Sequence, residues 1–237
     1  LSLVGSEMCI RDRIGLRLSK DETIVRMPFE VRHMGSKYPI FSFDFTGAKR
    51  GVLPASYDYL RLEGRMQYRL NLPPIGYSQL MLEGGKIFGK VPYLLLKLHE
   101  GNGTYFYDRY AFSCMNFYEF SSDAWISFFY EHHFNGFLLG RVPLLKKLNW
   151  REVFVFKGVY GTLSARNDGS LPNTKAVMLF PVGMSSVEHP YLETGFGIEN
   201  IFRLLRVDCI WRLTHHRAVP GLSIPTFTVN FSLNLKF

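Results

Sequence analysis

The chain has 237 residues, 47% hydrophobic and 16% aromatic, with a formal net charge of +8. No run approaches the roughly eighteen apolar residues of a membrane-crossing helix, and the bases lie scattered among apolar residues, which argues against nucleic acid as a partner. Cys9, Cys114 and Cys209 share no CxxC or zinc-type spacing, so neither a disulfide framework nor a metal knot is indicated.

Taken in order, Thr23–Arg32 alternates, with Val25, Met27, Phe29 and Val31 on one face and Arg26, Glu30 and Arg32 on the other. Pro28 belongs at a sheet edge or bulge. A polar connection, His33–Tyr38, precedes Pro39–Thr46, in which Phe41, Phe43 and Phe45 alternate with Ser42, Asp44 and Thr46; Gly47–Asp58 reads as a loop. Tyr59–Leu70 predicts a long strand with Leu60, Leu62, Met66, Tyr68 and Leu70 opposite Arg61, Glu63, Arg65, Gln67 and Arg69. A charge turned to lipid at mid-depth costs about 2–4 kcal/mol, so the charged face is expected to look into a wet lumen. Asn71–Gly76 is a Pro-Pro turn, followed by a strand over Tyr77–Gly89.

Val91–Ser122 reads as a long loop. Asp123–Phe134 returns to strand, setting Ile126, Phe128 and Tyr130 against Ser127, Glu131 and His133. The link Asn135–Trp150 holds a short amphipathic piece, Pro143–Leu148, suited to an interface. Arg151–Leu163 is apolar on both faces, which leaves its orientation open. After the loop Ser164–Pro190, a hairpin joins Tyr191–Glu199 to Arg206–His215 through Asn200–Leu205; its second arm sets Val207, Cys209, Trp211 and Leu213 against Arg206, Asp208 and Arg212. His215–Pro225 leads to Phe227–Phe237, where Phe227, Val229, Phe231, Leu233, Leu235 and Phe237 alternate strictly with polar residues. Eleven residues is about the length of a tilted transmembrane strand.

Nine candidate strands result. Their connections sort by length: Gly47–Asp58, Val91–Ser122, Ser164–Pro190 and His215–Pro225 on one side, and the shorter His33–Tyr38, Asn71–Gly76 and Asn200–Leu205, with the longer Asn135–Trp150, on the other. Transmembrane barrels have short periplasmic turns and long external loops. The expected fold is therefore all-β: an antiparallel transmembrane β-barrel, of which this chain supplies about nine up-and-down strands.

The words Leu72–Tyr77, Thr104–Asp108, Tyr130–Gly136, Pro143–Leu145, Asn149–Val153 and Gly197–Phe202 together resemble a family of Gram-negative outer-membrane proteins of unknown function, in which a carboxypeptidase-regulatory-like domain precedes a barrel. The resemblance implies the outer membrane, its lipid as surroundings, and recognition of the C-terminal strand by barrel assembly machinery. Phe120–Asp123 with Glu131, and Gly197–Asp208, are similar to BamA/TamA-type insertase barrels, although Met115–Tyr118 replaces their Arg-Gly-aromatic loop tip. Leu3–Arg13 resembles an in-frame translation of a transposase sequencing adaptor. Residues 1–13 are accordingly set apart, and 14–237 read as the C-terminal portion of a barrel domain.

Arg61, Glu63, Arg65, Arg69, Glu131, His133, Glu193, Glu199, Arg206, Asp208 and Arg212 are the expected lumen-facing network, serving selectivity or strand register. Phe227, Val229, Phe231, Leu233, Leu235 and Phe237 are the expected assembly signal. Glu131 and His133 share a face that His132 does not, so a metal would need ligands from His189, His215 or His216. Gly195 and Gly197 suggest a close approach or a bend. No phosphate loop, nucleophile elbow or HExxH points to an enzyme or a cofactor. Three functions are weighed: a barrel for transport, surface assembly or envelope structure; an insertase-like barrel; and a soluble lipid- or glycan-binding β protein.

Overall fold

The computed structural model describes residues 12–27, 31–49, 57–170, 176–216 and 223–233. Nine strands form one antiparallel sheet in chain order: β1 Asp12–Leu18, β2 Ile40–Ala48, β3 Tyr59–Asn71, β4 Tyr77–Gly89, β5 Ala124–His133, β6 Arg151–Thr162, β7 Tyr191–Ile201, β8 Leu205–Arg212 and β9 Phe227–Leu233. Each pairs with its predecessor, so the connections fall alternately at two ends of the sheet. Eight of the nine expected strands recur, with bounds shifted by a few residues.

The exception is the first. Thr23–Arg32 is no stave of this sheet; Thr23–Arg26 and Val31–Gly35 form a separate small hairpin, which also replaces the expected His33–Tyr38 turn. Phe29 and Glu30 lie outside the described residues. A proline has no N–H for a ladder, which disfavours one unbroken strand through position 28. The place beside β2 is taken by Asp12–Leu18, in register from Asp12↔Gly47 to Leu18↔Phe41. The strand thus begins inside the segment that the sequence sets apart as adaptor-like.

The sheet does not close into a barrel: β1 and β9 are its two ends, not neighbours. The outer edge of β9 is already occupied, because Tyr107 N–H donates to Phe231 O at 2.8 Å and Phe231 N–H to Tyr105 O at 2.7 Å. The length sorting of the connections is also looser than expected. The links 72–76 and 202–204 are short, but 19–39 and 134–150 at the same end are not; 90–123 and 163–190 remain the longest, at the other end.

Alternation gives the sheet two faces. One is covered by 90–123, which the sequence reads as a long external loop and which folds across the sheet. Two apolar clusters fill that space. Met81, Phe129, Val159 and Tyr191 from strands meet Phe112, Met115, Phe120 and Val187 from loops. Ala48, Tyr59, Ile87 and Trp125 meet Val91 and Leu96. Within the loops, Lys97–Leu98, Phe120–Ser122 and Ser185–Ser186 form a small three-stranded sheet.

The opposite face is bare. Leu60 is 44% exposed, Phe196 60%, Phe231 40% and Ile14 71%, with Phe41, Phe43, Phe45, Phe88 and Trp211 exposed alongside. Cross-strand aromatic contacts run over this face, including Phe154–Phe196 at 5.2 Å and Phe128–Phe156 at 6.1 Å between ring centroids. The orientation of β6 is thereby settled: Phe154, Phe156 and Tyr160 point to the bare side, Val153, Val155, Lys157 and Val159 to the covered one.

Candidate functional site

The covered side of β5 to β8 carries a buried polar network. Period-two alternation puts Glu131 and His133 of β5, Lys157 of β6, Glu193 and Glu199 of β7, and Arg206, Asp208 and Arg212 of β8 on this one face, all of them buried. Glycines open the ground between them. A Cβ at Gly197 would stand 2.1 Å from Asp208 Oδ1, and one at Gly195 2.8 Å from Ile210 Cγ1. The β8 side chains therefore lie down over β7, the close approach expected of these two glycines.

Glu131 is the hub. Its Oε1 accepts from Arg206 Nη2 at 2.8 Å and from Tyr107 Oη at 2.6 Å; its Oε2 accepts from Arg109 Nε at 2.5 Å. Arg206 also grips Asp208, Nε to Oδ2 at 2.7 Å and Nη2 to Oδ1 at 2.9 Å. His133 stands between two carboxylates, with Nδ1 3.2 Å from Glu199 Oε2 and Nε2 3.8 Å from Glu131 Oε2. Its ring stacks on Tyr77 at 4.5 Å, and the Arg69 guanidinium lies over the same tyrosine ring at 4.2 Å.

The other buried charges hold the 90–123 loop by its backbone. Lys157 Nζ donates to Asp108 O at 2.7 Å and Ala111 O at 2.6 Å. Glu193 accepts from Ser113 N–H at 2.8 Å, Cys114 N–H at 2.7 Å and Tyr191 Oη at 2.6 Å. Arg212 pairs with Glu119 at 2.6 Å and donates to Cys114 O at 3.2 Å. On β9, Asn230 Nδ2 donates to Thr104 O at 3.1 Å. A buried polar group without a partner is costly, so each of these strand positions selects a loop atom of complementary character.

The expected wet lumen is therefore corrected: on β5 to β8 the polar face meets protein. Of the β3 members of the expected network, Arg69 reaches it through Tyr77, while Arg61, Glu63 and Arg65 sit apart from it. Arg61 pairs with Glu63 at 2.6 Å, and the half-exposed Arg65 pairs with Glu83 of β4 at 2.7 Å; Lys97 takes the other Glu83 oxygen at 2.6 Å. Lys157, Glu83, Asn230, Tyr107, Arg109 and Glu119 complete the arrangement and were not among the expected residues. Lys157 had a signal, a lone base in an otherwise apolar strand core, and Glu83 falls on the period of its strand. The loop residues carry no periodicity to read.

Within the loop, burial pushes the Tyr107 phenol well up, with the Glu131 charge adding to it, so it remains a donor. Burial likewise pushes the Cys114 thiol up to about 12, helped by Glu193, which makes it inert at neutral pH. His99 Nε2 lies 2.9 Å from Ser122 Oγ, the spacing of a base and its nucleophile. Ser122 is fully buried against Gly161, however, so no substrate reaches it. Burial and the neighbouring Lys97 hold His99 down to about 3, against the pull of Glu83. His132 faces the bare side, bonded to Ser78 Oγ at 2.7 Å and Ile75 O at 3.0 Å. His215 Nε2 is taken by His189 O at 2.9 Å, and among the described residues no group of three or more His, Cys, Asp or Glu could hold a metal ion.

Phe227, Phe231 and Leu233 are exposed and Val229 half-buried on the bare side of β9; Leu235 and Phe237 lie outside the described residues. No curated protein matches the chain. A family model described as the C-terminal domain of a family of unknown function, DUF5686, matches residues 13–165, which take in β1 to β6 and the whole 90–123 loop. The words from Leu72 to Val153 fall inside that match, and Gly197–Phe202 falls beyond it. With well over half its length matched, the chain belongs to this family of unknown function, DUF5686, through its C-terminal domain.

Proposed function

We propose that the sheet is part of a Gram-negative outer-membrane β-barrel, its bare face against acyl chains and its covered face plugged by the 90–123 loop. The observation that carries this reading is an inverted burial pattern. Glu131, Glu193, Arg206, Asp208 and Arg212 are buried while Phe196, Leu60, Phe231 and Leu233 are exposed. Proteins in water bury charges rarely and do not usually leave a contiguous aromatic face open. Closed barrels can satisfy every backbone group in lipid, so further strands are proposed to continue the ladder from β1. The role is proposed to be non-enzymatic, in transport, surface assembly or envelope structure. Its partners would be outer-membrane lipid and the barrel assembly machinery, the latter through Phe227, Val229, Phe231, Leu233, Leu235 and Phe237. A plug held by six strands, β4 to β9, through side-chain bonds implies that passage of any solute requires the loop to move.

A second reading, an insertase-like barrel, draws support from the β9 edge, where the contacts among the described residues are the short pairing of Phe231 with Tyr105–Tyr107 and the bond from Asn230 to Thr104 O. Fractionation and gel migration test both. The full-length protein is expected in the outer-membrane fraction, with heat-modifiable migration after folding in detergent. Recovery as a soluble periplasmic protein would remove both membrane readings in favour of a soluble lipid- or glycan-binding protein. Depletion that leaves other barrels correctly assembled would remove the second alone.

A further inference from the structure

Two connections at one end of the sheet, 134–150 and 202–204, carry Arg141, Lys146, Lys147 and Arg203 and no Asp or Glu. All four bases are exposed, and among the described residues none forms an ion pair. Apolar side chains stand among them: Leu138, Val142, Leu148 and Leu204 are exposed, and Phe202 is 87% exposed. The patch is built, not frayed. Asn200 Nδ2 donates to Asn149 O at 2.7 Å, which ties one connection to the other. The Glu152 carboxylate accepts Leu139 N–H, and single helical turns at Leu139–Arg141 and Pro143–Lys146 shape the longer link. Phe202 and Arg203 hold positive φ values of 49° and 65°, a conformation that side-chain-bearing residues adopt at a cost. The turn is closed by Arg203 N–H donating to Asn200 O at 3.1 Å, and it presents an aromatic ring and a base outward.

We propose that this surface seats on the phosphate headgroups of anionic phospholipid in the periplasm-facing leaflet; the inference rests on the membrane reading above. An acidic protein patch would answer the bases but not the five exposed apolar side chains between them. A headgroup layer answers both, because phosphates lie beside the upper acyl chain. The patch also adjoins the bare face through β7 and β8, which lead directly into the 202–204 turn. Long basic side chains at that level can keep their charge among phosphates while their stems lie along hydrocarbon.

The test folds the full-length protein into nanodiscs of phosphatidylcholine, with or without phosphatidylglycerol, and counts retained lipids by native mass spectrometry. The unaltered protein is expected to enrich phosphatidylglycerol in a salt-sensitive manner. The combined Arg141→Gln, Lys146→Gln, Lys147→Gln and Arg203→Gln variant should lose at least about tenfold of that preference while keeping heat-modifiable migration. Phe202→Ser should weaken retention with the bases intact. Equal retention of both lipids by the unaltered protein, or full preference in the four-base variant, overturns the inference and leaves the membrane reading standing. A chain that never enters the discs overturns both.

Discussion

Arg61 and Glu63 on β3 pair with both side chains 22% exposed, whereas Glu131 and Arg206, an ion pair of the same chemistry on β5 and β8, are 2% and 3% exposed. Both pairs stand at inward positions of strands with the same alternation. The difference lies in the cover: the 90–123 loop sends Tyr107 and Arg109 to Glu131, while among the described residues no loop side chain bonds to Arg61 or Glu63. Burial of charge in this sheet is thus set by what crosses it and not by the strands themselves. The same positional rule yields a solvated pair in one half and a structural hub in the other.

The largest effect that separates the halves is expected at the hub. Glu131→Gln leaves Arg206 and Arg109 short of charge in a buried site and should cost roughly 3–5 kcal/mol, read from the denaturant midpoint of the detergent-folded protein. Glu63→Gln should cost at most about 1 kcal/mol. Similar losses at the two sites would mean that the loop does not cover the β5–β8 half in solution.

The faces can be set against each other next. Phe231→Arg or Leu233→Arg puts a charge on the bare side of β9 and should cost about 2–4 kcal/mol in lipid, while Ser232→Arg, on the other side of the strand, should be tolerated. Equal tolerance in a folding assay into bilayers would remove the assignment of faces. At β7 the question is one of space. Gly197→Ala would drive a methyl into Asp208 Oδ1 and should cost about 1–3 kcal/mol by the same denaturant assay, together with a displaced Arg206. A neutral outcome would mean that Asp208 does not lie over β7.

A pH dependence is rooted in the loop. His99 is held down to about 3 by burial, so the folded chain keeps it neutral where the unfolded chain, with an ordinary histidine near 6.5, takes up a proton. Stability is therefore complete above about pH 6.5 and falls as pH drops towards 3, by up to about 1.4 kcal/mol per unit. His99→Gln should flatten this slope in denaturant titrations at several pH values. An unchanged slope would place its origin elsewhere.

Strand identity was legible because alternation survives in single residues: Phe41, Phe43 and Phe45, or Arg206, Asp208 and Arg212, declare their faces without any knowledge of neighbours. Glu131 and His133 do share a face that His132 does not, as their spacing implies. The β1 alternation, Ile14, Leu16 and Leu18 against Arg13 and Arg17, is present in the sequence but adjoins and overlaps the adaptor-like Leu3–Arg13. Lys157 is legible as a lone base in an otherwise apolar strand core. Tyr107, Arg109 and Glu119 had no such signal, since an irregular segment carries no period to reveal which way it turns.

By itself the order of residues determined which side of the pleat each strand residue takes, because the backbone alternates with period two whatever surrounds it. Only the tertiary structure decided which charges lose contact with water, what answers them, and which strand edges stay open. Those outcomes depend on contacts such as Thr104 with Asn230 and Tyr107 with Glu131. Such contacts join positions far apart along the chain, so their partners are chosen by the path of a loop through space and not by any local pattern.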